Sequence, residues 1–439
     1  MTAAATLAVG LTLVMSGVAR ALPSQDPANT TYMVDGLVRG LAQVGNEIWI
    51  GGNFSHVLDP NGNAVQTVSS LAAFYSTNDA LDGKPVSTVT PPLVTNGSAA
   101  PIIYDESVVG TTLYIAGKFT SVGGLTRKNI AAIDTTDGSV ISTFHPNAEA
   151  LNSVFATTTN IYAGGKALKN YLPDGSSAPG WTSPVAAVDT SLRGHNLRPA
   201  FRDITLVGGT VVVACACDSL KDASGVHPAK ALAQIDGTTG AVLDWSSTGS
   251  AIPQGLSPDG GAFGEAVVAD STTIWLAAGG SDFTASYGFS PDSENGAQNW
   301  KTDTSGSSQT ITFYQGQLVI GGHFQWVESP TESNCGNFLR PNTGCYHAPR
   351  LVSMDPASGA VNLVPGTTEP WNPGICCKYQ GVWALLTDSS GTRLHVGGLF
   401  TRVGGAWTCT LLPSPCGSSG WKLAGAKKHY YYARLSDAP

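Results

Sequence analysis

The chain has 439 residues, a formal net charge of −8 and only 12% charged residues. This acidic balance argues against a nucleic-acid partner, which would need a basic surface. Glycine (52 residues) and proline (26 residues) are abundant, and because both destabilise helix interiors, little regular helix is expected. The hydrophobic fraction of 42% supplies enough apolar material for a core. The composition therefore predicts a folded, acidic protein.

The N-terminal stretch MTAAATLAVGLTLVMSGVARALPSQ contains an apolar run over residues 3–18. The run ends in Ala19-Arg20-Ala21, which resembles the cleavage site of an export signal, although no basic segment precedes the run. A membrane anchor is the alternative, but the run is short for a spanning helix. We expect residues 1–21 to be an export signal. Residues 22–439 would then form one domain, secreted or held in the cell envelope, without a transmembrane span.

One short pattern recurs along the chain: an apolar strand, a pair of small residues and, in most copies, a phenylalanine. The clearest copy is LYIAGKFTSVGG at residues 113–124. The other copies are IWIGGNFSHV (48–57), IYAGGKAL (161–168), VVVACACDSL (211–220), IWLAAGGSDF (274–283), LVIGGHFQWV (318–327) and LHVGGLFTRVGG (394–405). The copies begin 44 to 76 residues apart. Repeats at such intervals are typical of solenoids, propellers or arrays. The pattern is therefore interpreted as a repeated structural unit of the fold rather than as a single binding loop.

A second element follows most copies and completes the repeat unit. It is seen as IAAID (130–134), VAAVD (185–189), LAQID (232–236) and LVSMD (351–355), each followed by a turn and a further short strand. Four short strands per unit, repeated seven times, predict an all-β, seven-bladed β-propeller. The last unit lacks its fourth strand, so we expect the N-terminal strand at residues 32–34 to complete it and close the ring.

Gly117 and Phe119 have structural roles in this interpretation. A glycine inside a strand allows a neighbouring backbone to approach closely. Phe119, two residues later, is expected to fill the core between adjacent blades. Lys118 lies between them and is expected at the surface.

The eight cysteines agree with an oxidising compartment. Cys335 and Cys345, and likewise Cys409 and Cys416, are each separated by a short loop-like stretch. We predict a disulfide bond within each of these two loops, with cross-pairing between the loops as the alternative. The pairing of Cys215, Cys217, Cys376 and Cys377 stays open.

No common catalytic motif is present, and the eight histidines are scattered singly. No catalytic residue or cofactor is predicted, and a metal site assembled from different blades stays open. Equivalent repeat positions form a ring in a propeller, so the position after the small pair is a candidate ligand-binding column, with solvent exposure as the alternative. Aromatic residues near the last two units could also stack on a ligand. The candidate ligand-binding residues are Asn53, Lys118, Lys166, His323 and Trp326.

The second unit, LYIAGKFTSVGGLTRKNIAAIDTTDGSVISTFHPNA (113–148), resembles the delta-60 type repeat. This repeat occurs in secreted actinobacterial propeller proteins and in fungal cortical polarity-marker proteins. The resemblance extends over nearly all of the chain and is specific in about four of the seven units. It implies an exported or surface-displayed propeller and no catalytic residue. The cysteine-bearing insertions of units six and seven and the ACAC of unit four depart from the pattern.

These features favour an extracellular or cell-envelope binding protein that recognises a glycan or a protein through its loops. A secreted propeller enzyme, such as a hydrolase, lyase or oxidase with a site at the channel mouth, is the first alternative, because a fold does not determine function. A structural subunit of an extracellular assembly is the second. Exposed aromatic residues at the channel mouth would favour glycan binding, whereas several converging acidic, histidine or cysteine side chains would favour an enzyme.

Overall fold

The computed structural model describes residues 22–188, 198–245, 263–279, 285–289, 298–337, 340–341, 344–375, 381–404, 406–409 and 421–436. Within these ranges the chain forms only strands, turns and bends. The predicted all-β class is therefore confirmed for the described part of the chain. No helix described here is long and apolar enough to cross a membrane. The predicted export signal, residues 1–21, lies outside the described residues.

The strands are short and are numbered in chain order. The first group is β1 (Met33–Val34), β2 (Leu37–Val44), β3 (Glu47–Asn53), β4 (His56–Leu58), β5 (Ala64–Thr67), β6 (Leu71–Tyr75), β7 (Val94–Thr95), β8 (Ile102–Val109), β9 (Thr112–Lys118), β10 (Ser121–Val122), β11 (Leu125–Thr126), β12 (Ile130–Asp134), β13 (Ser153–Ala156) and β14 (Ile161–Gly164). The second group is β15 (Leu168–Tyr171), β16 (Val185–Ala187), β17 (Ala200–Val207), β18 (Thr210–Ala216), β19 (Ser219–Lys221), β20 (Val226–Pro228), β21 (Leu232–Asp236), β22 (Val242–Leu243), β23 (Phe263–Ala269), β24 (Ile274–Gly279), β25 (Ala285–Phe289) and β26 (Gln298–Asp303). The third group is β27 (Ser308–Tyr314), β28 (Gln317–Gly322), β29 (Trp326–Val327), β30 (Gly336–Asn337), β31 (Arg340–Pro341), β32 (Tyr346–His347), β33 (Leu351–Met354), β34 (Gly381–Thr387), β35 (Arg393–Leu399), β36 (Arg402–Val403), β37 (Ala406–Cys409), β38 (Trp421–Ala424), β39 (Lys427–Lys428) and β40 (Tyr432–Ser436).

Seven antiparallel sheets form the body of the described chain. Their strand orders are β2-β3-β6, β8-β9-β12, β13-β14-β15, β17-β18-β21-β22, β23-β24-β25-β26, β27-β28-β33 and β34-β35-β40. Each recurrent strand of the sequence pattern is the second strand of its sheet, between the first and third. The first strands contact one another in chain order, and β34 also contacts β2. This arrangement of small radial sheets is a β-propeller.

Within the described residues, the predicted fourth strand is present in two of these sheets. In the second sheet it is reduced to a single bridge between Ile133 and Val140, and in the sixth to one between Met354 and Val361. The outer edge of these units therefore has fewer backbone hydrogen bonds than the sequence predicted.

The third sheet also differs from the expectation. Residues 185–189 were predicted to form its third strand, but β15 takes that place, with Leu168 opposite Gly164. The chain turns back directly after β14, so the third position is filled before residue 185 is reached. β16 instead joins an outer sheet with β19 and β20.

The N-terminal strand pairs with the first unit rather than the last. In β1, Met33 lies opposite Leu58 and Val34 opposite Val57, both in β4. Earlier residues instead donate backbone hydrogen bonds to β40: Ser24 N–H to the Ser436 carbonyl (2.6 Å) and Ala28 N–H to the Arg434 carbonyl (3.0 Å). Residues 24–28, a few positions ahead of the predicted strand, therefore make these backbone hydrogen bonds, while Val34 and Tyr432 belong to one buried cluster.

The core is divided among the gaps between sheets. Seven hydrophobic clusters each combine buried residues from two consecutive sheets. In the gap between the first and second sheets, Phe119 packs with Trp49 and Ile115. In the gap between the last and first sheets, Tyr432 packs with Ile48. Burial between sheets, rather than within one sheet, therefore holds the units together.

The second small residue of the recurrent pattern lies against the carbonyl oxygen of the preceding strand. A Cβ atom on Gly117 would lie 2.1 Å from the Ile102 oxygen, and the equivalent glycines, Gly52, Gly322 and Gly398, are equally confined. Phe119 is fully buried. The predicted close approach at Gly117 and the predicted burial of Phe119 are confirmed.

A second shared feature is a residue in the left-handed region immediately before the third strand. Asn129, with φ of 66°, is the example in the second sheet. Its N–H donates to the Phe119 carbonyl, and its own carbonyl accepts from Gly117 N–H. The equivalent left-handed residues elsewhere are Ser70, Ala231, Arg350 and Tyr431. This backbone kink recurs without a constant residue type, so the sequence pattern did not indicate it.

Two disulfide bonds lie in the described residues. Cys335 and Cys345 are joined, as the sequence predicted, with their Cα atoms 5.6 Å apart. Cys215 and Cys217, whose pairing was open, are bonded to each other at the end of β18. The predicted Cys409–Cys416 bond lies outside the described residues, as do Cys376 and Cys377.

Candidate functional site

Six of the seven first strands carry a β-bulge, and each bulge leaves one residue without a partner in the sheet register. A bulge bends its strand and re-aims the side chain at that position. All six side chains line one cavity of about 190 Å³, and Asn152, just before β13, is the contribution of the remaining sheet, β13-β14-β15. We call these residues the bulge ring: Arg39, Tyr104, Asn152, Arg202, Glu265, Gln309 and Trp383.

Arg39 is held in the bulge ring by aromatic faces. Its guanidinium carbon lies 3.9 Å from the centroid of the Trp383 ring and 5.0 Å from that of Tyr104. Both distances are in the range of cation–π contact. Burial lowers the pKa of Arg39 to about 10, so its side chain is still a cation at neutral pH.

Arg202 and Glu265 form an ion pair in the same ring. Arg202 Nη1 lies 2.6 Å from Glu265 Oε2, and the Glu265 side chain is buried. The Arg202 guanidinium also lies over the Phe263 ring, 4.8 Å from its centroid. With Arg39 included, the bulge ring has two cations and one anion, so Glu265 alone does not neutralise it.

Asp105 and Asp203, each one residue after a bulge, tie neighbouring sheets together. Asp105 accepts hydrogen bonds from Val154 N–H and Glu106 N–H, both at 2.8 Å. Asp203 accepts them from Val267 N–H and Ile204 N–H, also at 2.8 Å. These carboxyl groups therefore anchor the strands that form the channel wall.

Burial raises the pKa of both anchoring groups. The pKa of Asp105 rises well above its ordinary value, through burial and the nearby Asp203 charge. Burial raises the pKa of Asp203 to about 7. Both carboxyl groups therefore carry less negative charge near neutral pH than ordinary aspartates would.

The raised pKa values predict a pH dependence of stability. A carboxyl group that binds its proton more tightly in the folded state contributes stability at low pH, and this contribution is lost as pH rises from the unfolded pKa, 3.8, towards the folded pKa, about 7. Asp203→Asn is therefore expected to weaken the fall in the free energy of unfolding between pH about 4 and about 7. Urea titrations at both pH values test this. Identical profiles for the two proteins would contradict it.

The second cavity, of about 740 Å³, extends outward from the bulge ring and is called the mouth cavity. Lys118, at the end of β9, and Lys166, between β14 and β15, line it, and both side chains are exposed. Arg198 and Glu149 are exposed at the same rim. Tyr104 and Trp383 of the bulge ring reach its floor. The structure thus brings two of the five candidate ligand-binding residues together.

The other three candidates lie away from this cavity. The Asn53 side chain donates a hydrogen bond to the Pro101 carbonyl (2.6 Å) and so links two sheets. His323 is largely buried, and this burial lowers its pKa to about 4. Trp326 is 3% exposed and packs against the Cys335–Cys345 disulfide. These side chains have packing roles in the described structure.

The bulge ring itself was missed by the sequence analysis. The candidate column was taken from the second strand of each unit, whereas the channel is lined from the first strand. A usable signal exists in four of the first strands: VRG, IYD, FRD and VWA each place a polar or aromatic residue after an apolar one. In an apolar strand that residue marks the bulge.

The described residues contain no group of three or more histidine, cysteine, aspartate or glutamate side chains arranged to hold a metal ion. Asp105, Asp203 and Glu265 line the inner cavity, but each is engaged by the strand or arginine contacts given above. The site as described is a polar and aromatic cleft with a cationic rim.

No protein-family model matches the sequence, and no curated protein matches it. Among solved structures, the chain is similar to the computationally designed protein Ika8, with 11% identity, a TM-score of 0.45 and coverage of 86% of this chain and 96% of that one. It is also similar to the WD40 β-propeller domain of Doa1, with 12% identity, a TM-score of 0.45 and coverage of 84% and 94%. The fold assignment rests on the sheets of this chain.

Proposed function

We propose that the protein is a secreted or cell-envelope binding protein that holds a glycan at the mouth of its channel. The observation that carries this proposal is the mouth cavity, where Tyr104 and Trp383 meet a rim of exposed polar side chains. Aromatic rings pack against the apolar faces of sugars, and polar groups placed around them fix the orientation of a ligand. A concave cleft suits a saccharide chain better than a flat protein surface.

The proposal includes a ring of seven blades closed by the N-terminal residues, of the delta-60 repeat type. It is supported by the contact of β34 with β2 and by the hydrogen bonds from residues 24 and 28 to β40. A closed ring gives every blade two neighbours and holds the seven positions of the bulge ring at fixed distances. Export is supported by the disulfide between Cys335 and Cys345, since such bonds persist in oxidising compartments.

The test is binding to a panel of immobilised neutral and acidic polysaccharides, followed by titration calorimetry on those retained. Trp383→Ala is expected to weaken binding about tenfold, because the ring loses its stacking contact. Trp181→Ala is the matched control, since Trp181 is also half-buried but lies outside both cavities. Failure of every polysaccharide to bind would refute glycan recognition and leave a protein partner as the candidate. Equal binding by the two variants would place the site elsewhere.

A hydrolase or lyase is the second candidate, favoured by the raised pKa values of Asp105 and Asp203 in the channel. Such groups are suited to act as general acids. However, both carboxyl groups accept two backbone hydrogen bonds each, which assigns them to the channel wall. Incubation with a bound polysaccharide separates the two functions. New reducing ends or unsaturated products, lost in Asp203→Asn, would favour the enzyme.

A further inference from the structure

The mouth cavity is basic although the protein is acidic. Its lining includes five basic side chains and a single acid, Glu149, whereas the whole chain carries a formal charge of −8. The basic residues are Arg39, Lys118, Lys166, Arg198 and Arg202. A cleft lined by one sign of charge concentrates ligands of the opposite sign.

The charged groups at the floor of the mouth cavity add to its excess of positive charge. Arg202 is paired with Glu265, whereas the Arg39 side chain makes no direct ion pair in the described part of the chain and lies over the Tyr104 and Trp383 rings. Desolvating a guanidinium without an anionic partner is unfavourable. Asp105 and Asp203 line the neighbouring inner cavity, but they carry less negative charge near neutral pH than ordinary aspartates, because burial raises the pKa of each.

Resting on the proposed glycan-binding function, we propose that the ligand is an acidic saccharide whose carboxylate accepts hydrogen bonds from Arg39. Lys118, Lys166 and Arg198 hold further carboxylates of the same chain at the rim. The planar guanidinium matches a planar carboxylate with two parallel hydrogen bonds. Trp383 and Tyr104 restrict Arg39 to one plane and offer ring surface to the attached sugar. A uronic-acid polysaccharide has both features, a carboxylate and a sugar face on each residue.

The direct test compares polysaccharides that differ only in charge. Polygalacturonate, alginate and hyaluronate are titrated against the full chain at low ionic strength, each beside its methyl ester. At least one acid is expected to bind, with its ester about tenfold or more weaker. Equal binding of acid and ester, or binding of neutral polysaccharides alone, would overturn the acidic-ligand inference and leave glycan binding intact. Dextran sulfate bound as tightly as the best uronate would overturn the carboxylate assignment.

Variants of Arg39 then test whether this residue binds the carboxylate of the ligand. Arg39→Gln is expected to bind the best uronate about 10- to 100-fold more weakly than the wild type, with little change for the methyl ester. A melting curve checks that this variant folds. Equal losses for the acid and its ester would show that Arg39 does not recognise charge, and would overturn its role.

Exposed lysines provide a test that does not depend on the folding of the Arg39 variant. The double variant Lys118→Gln/Lys166→Gln is expected to weaken binding about fivefold and to flatten its salt dependence. Lys84→Gln/Lys221→Gln is the matched control, because both lysines are exposed and lie outside the cavity. Equal effects of the two double variants would mean that net charge, and not the mouth cavity, attracts the polysaccharide, which would overturn the proposal.

Discussion

Phe119→Ala is expected to lower the free energy of unfolding by about 3–5 kcal/mol, the range for truncating a buried phenylalanine. The ring is fully buried and lies between the first two sheets, in contact with residues of both. Its removal opens a cavity at an interface that the rigid strands on either side cannot easily fill. Urea or thermal unfolding measured by tryptophan fluorescence gives the value directly.

The neighbouring lysine supplies the control for this prediction. Lys118 is exposed on the same strand segment, so Lys118→Ala should change the free energy of unfolding by no more than about 0.5 kcal/mol. A near-neutral Phe119→Ala would contradict the burial of this ring between sheets. A large loss of stability in Lys118→Ala would contradict its position at the rim of the cavity.

Gly117→Ala is expected to be destabilising by about 3 kcal/mol, at the upper end for overpacking. The added Cβ would lie 2.1 Å from the Ile102 carbonyl oxygen and 3.0 Å from the Ile103 Cα. Both obstacles are backbone atoms of the paired strand, so relief requires the two strands to separate. The same unfolding measurement applies, and a loss in the yield of folded protein would point in the same direction.

Gly209→Ala is the matched control for the glycine. Gly209 lies in the hairpin between β17 and β18, and a Cβ atom there would meet nothing within 4 Å. Gly209→Ala should therefore leave the free energy of unfolding nearly unchanged, within about 0.5 kcal/mol. If both substitutions proved equally mild, the close approach of the strands at Gly117 would be refuted.

The recurrent strand was predictable because the fold restricts which residue types can occupy its positions, and these residue types can be read from the sequence. An apolar strand between sheets requires Ile115 and its neighbours to be apolar, and the approach of the backbone at Gly117 requires a small residue. The left-handed residue before the third strand was not predictable. That position is Asn129 in one unit and Arg350 in another, since backbone hydrogen bonds rather than side chains impose it.

The candidate site was only half predictable for a related reason. Lys118 and Lys166 were found because a polar residue after two small ones interrupts an otherwise apolar pattern. Arg39 and Trp383 were overlooked because a bulge shifts one residue out of the usual alternation of a strand. Alternation assigns that residue to one face of the sheet, whereas the register shift at the bulge places its side chain in the cavity lining. The strand registers are needed to see the difference.

The bulges also separate the chemistry of the channel from the integrity of the scaffold. Each bulge residue, such as Gln309 between Ser308 and Thr310, lies at a shift of the Cα register between the first and second strands of its sheet. Its side chain can change while the ladder on either side keeps its partners. The six bulge residues, each on a different sheet, therefore determine much of the chemistry of the cavity lining. Substitutions at these six positions, made one at a time, are the natural route to a changed ligand specificity in a scaffold whose sheets keep their pairing.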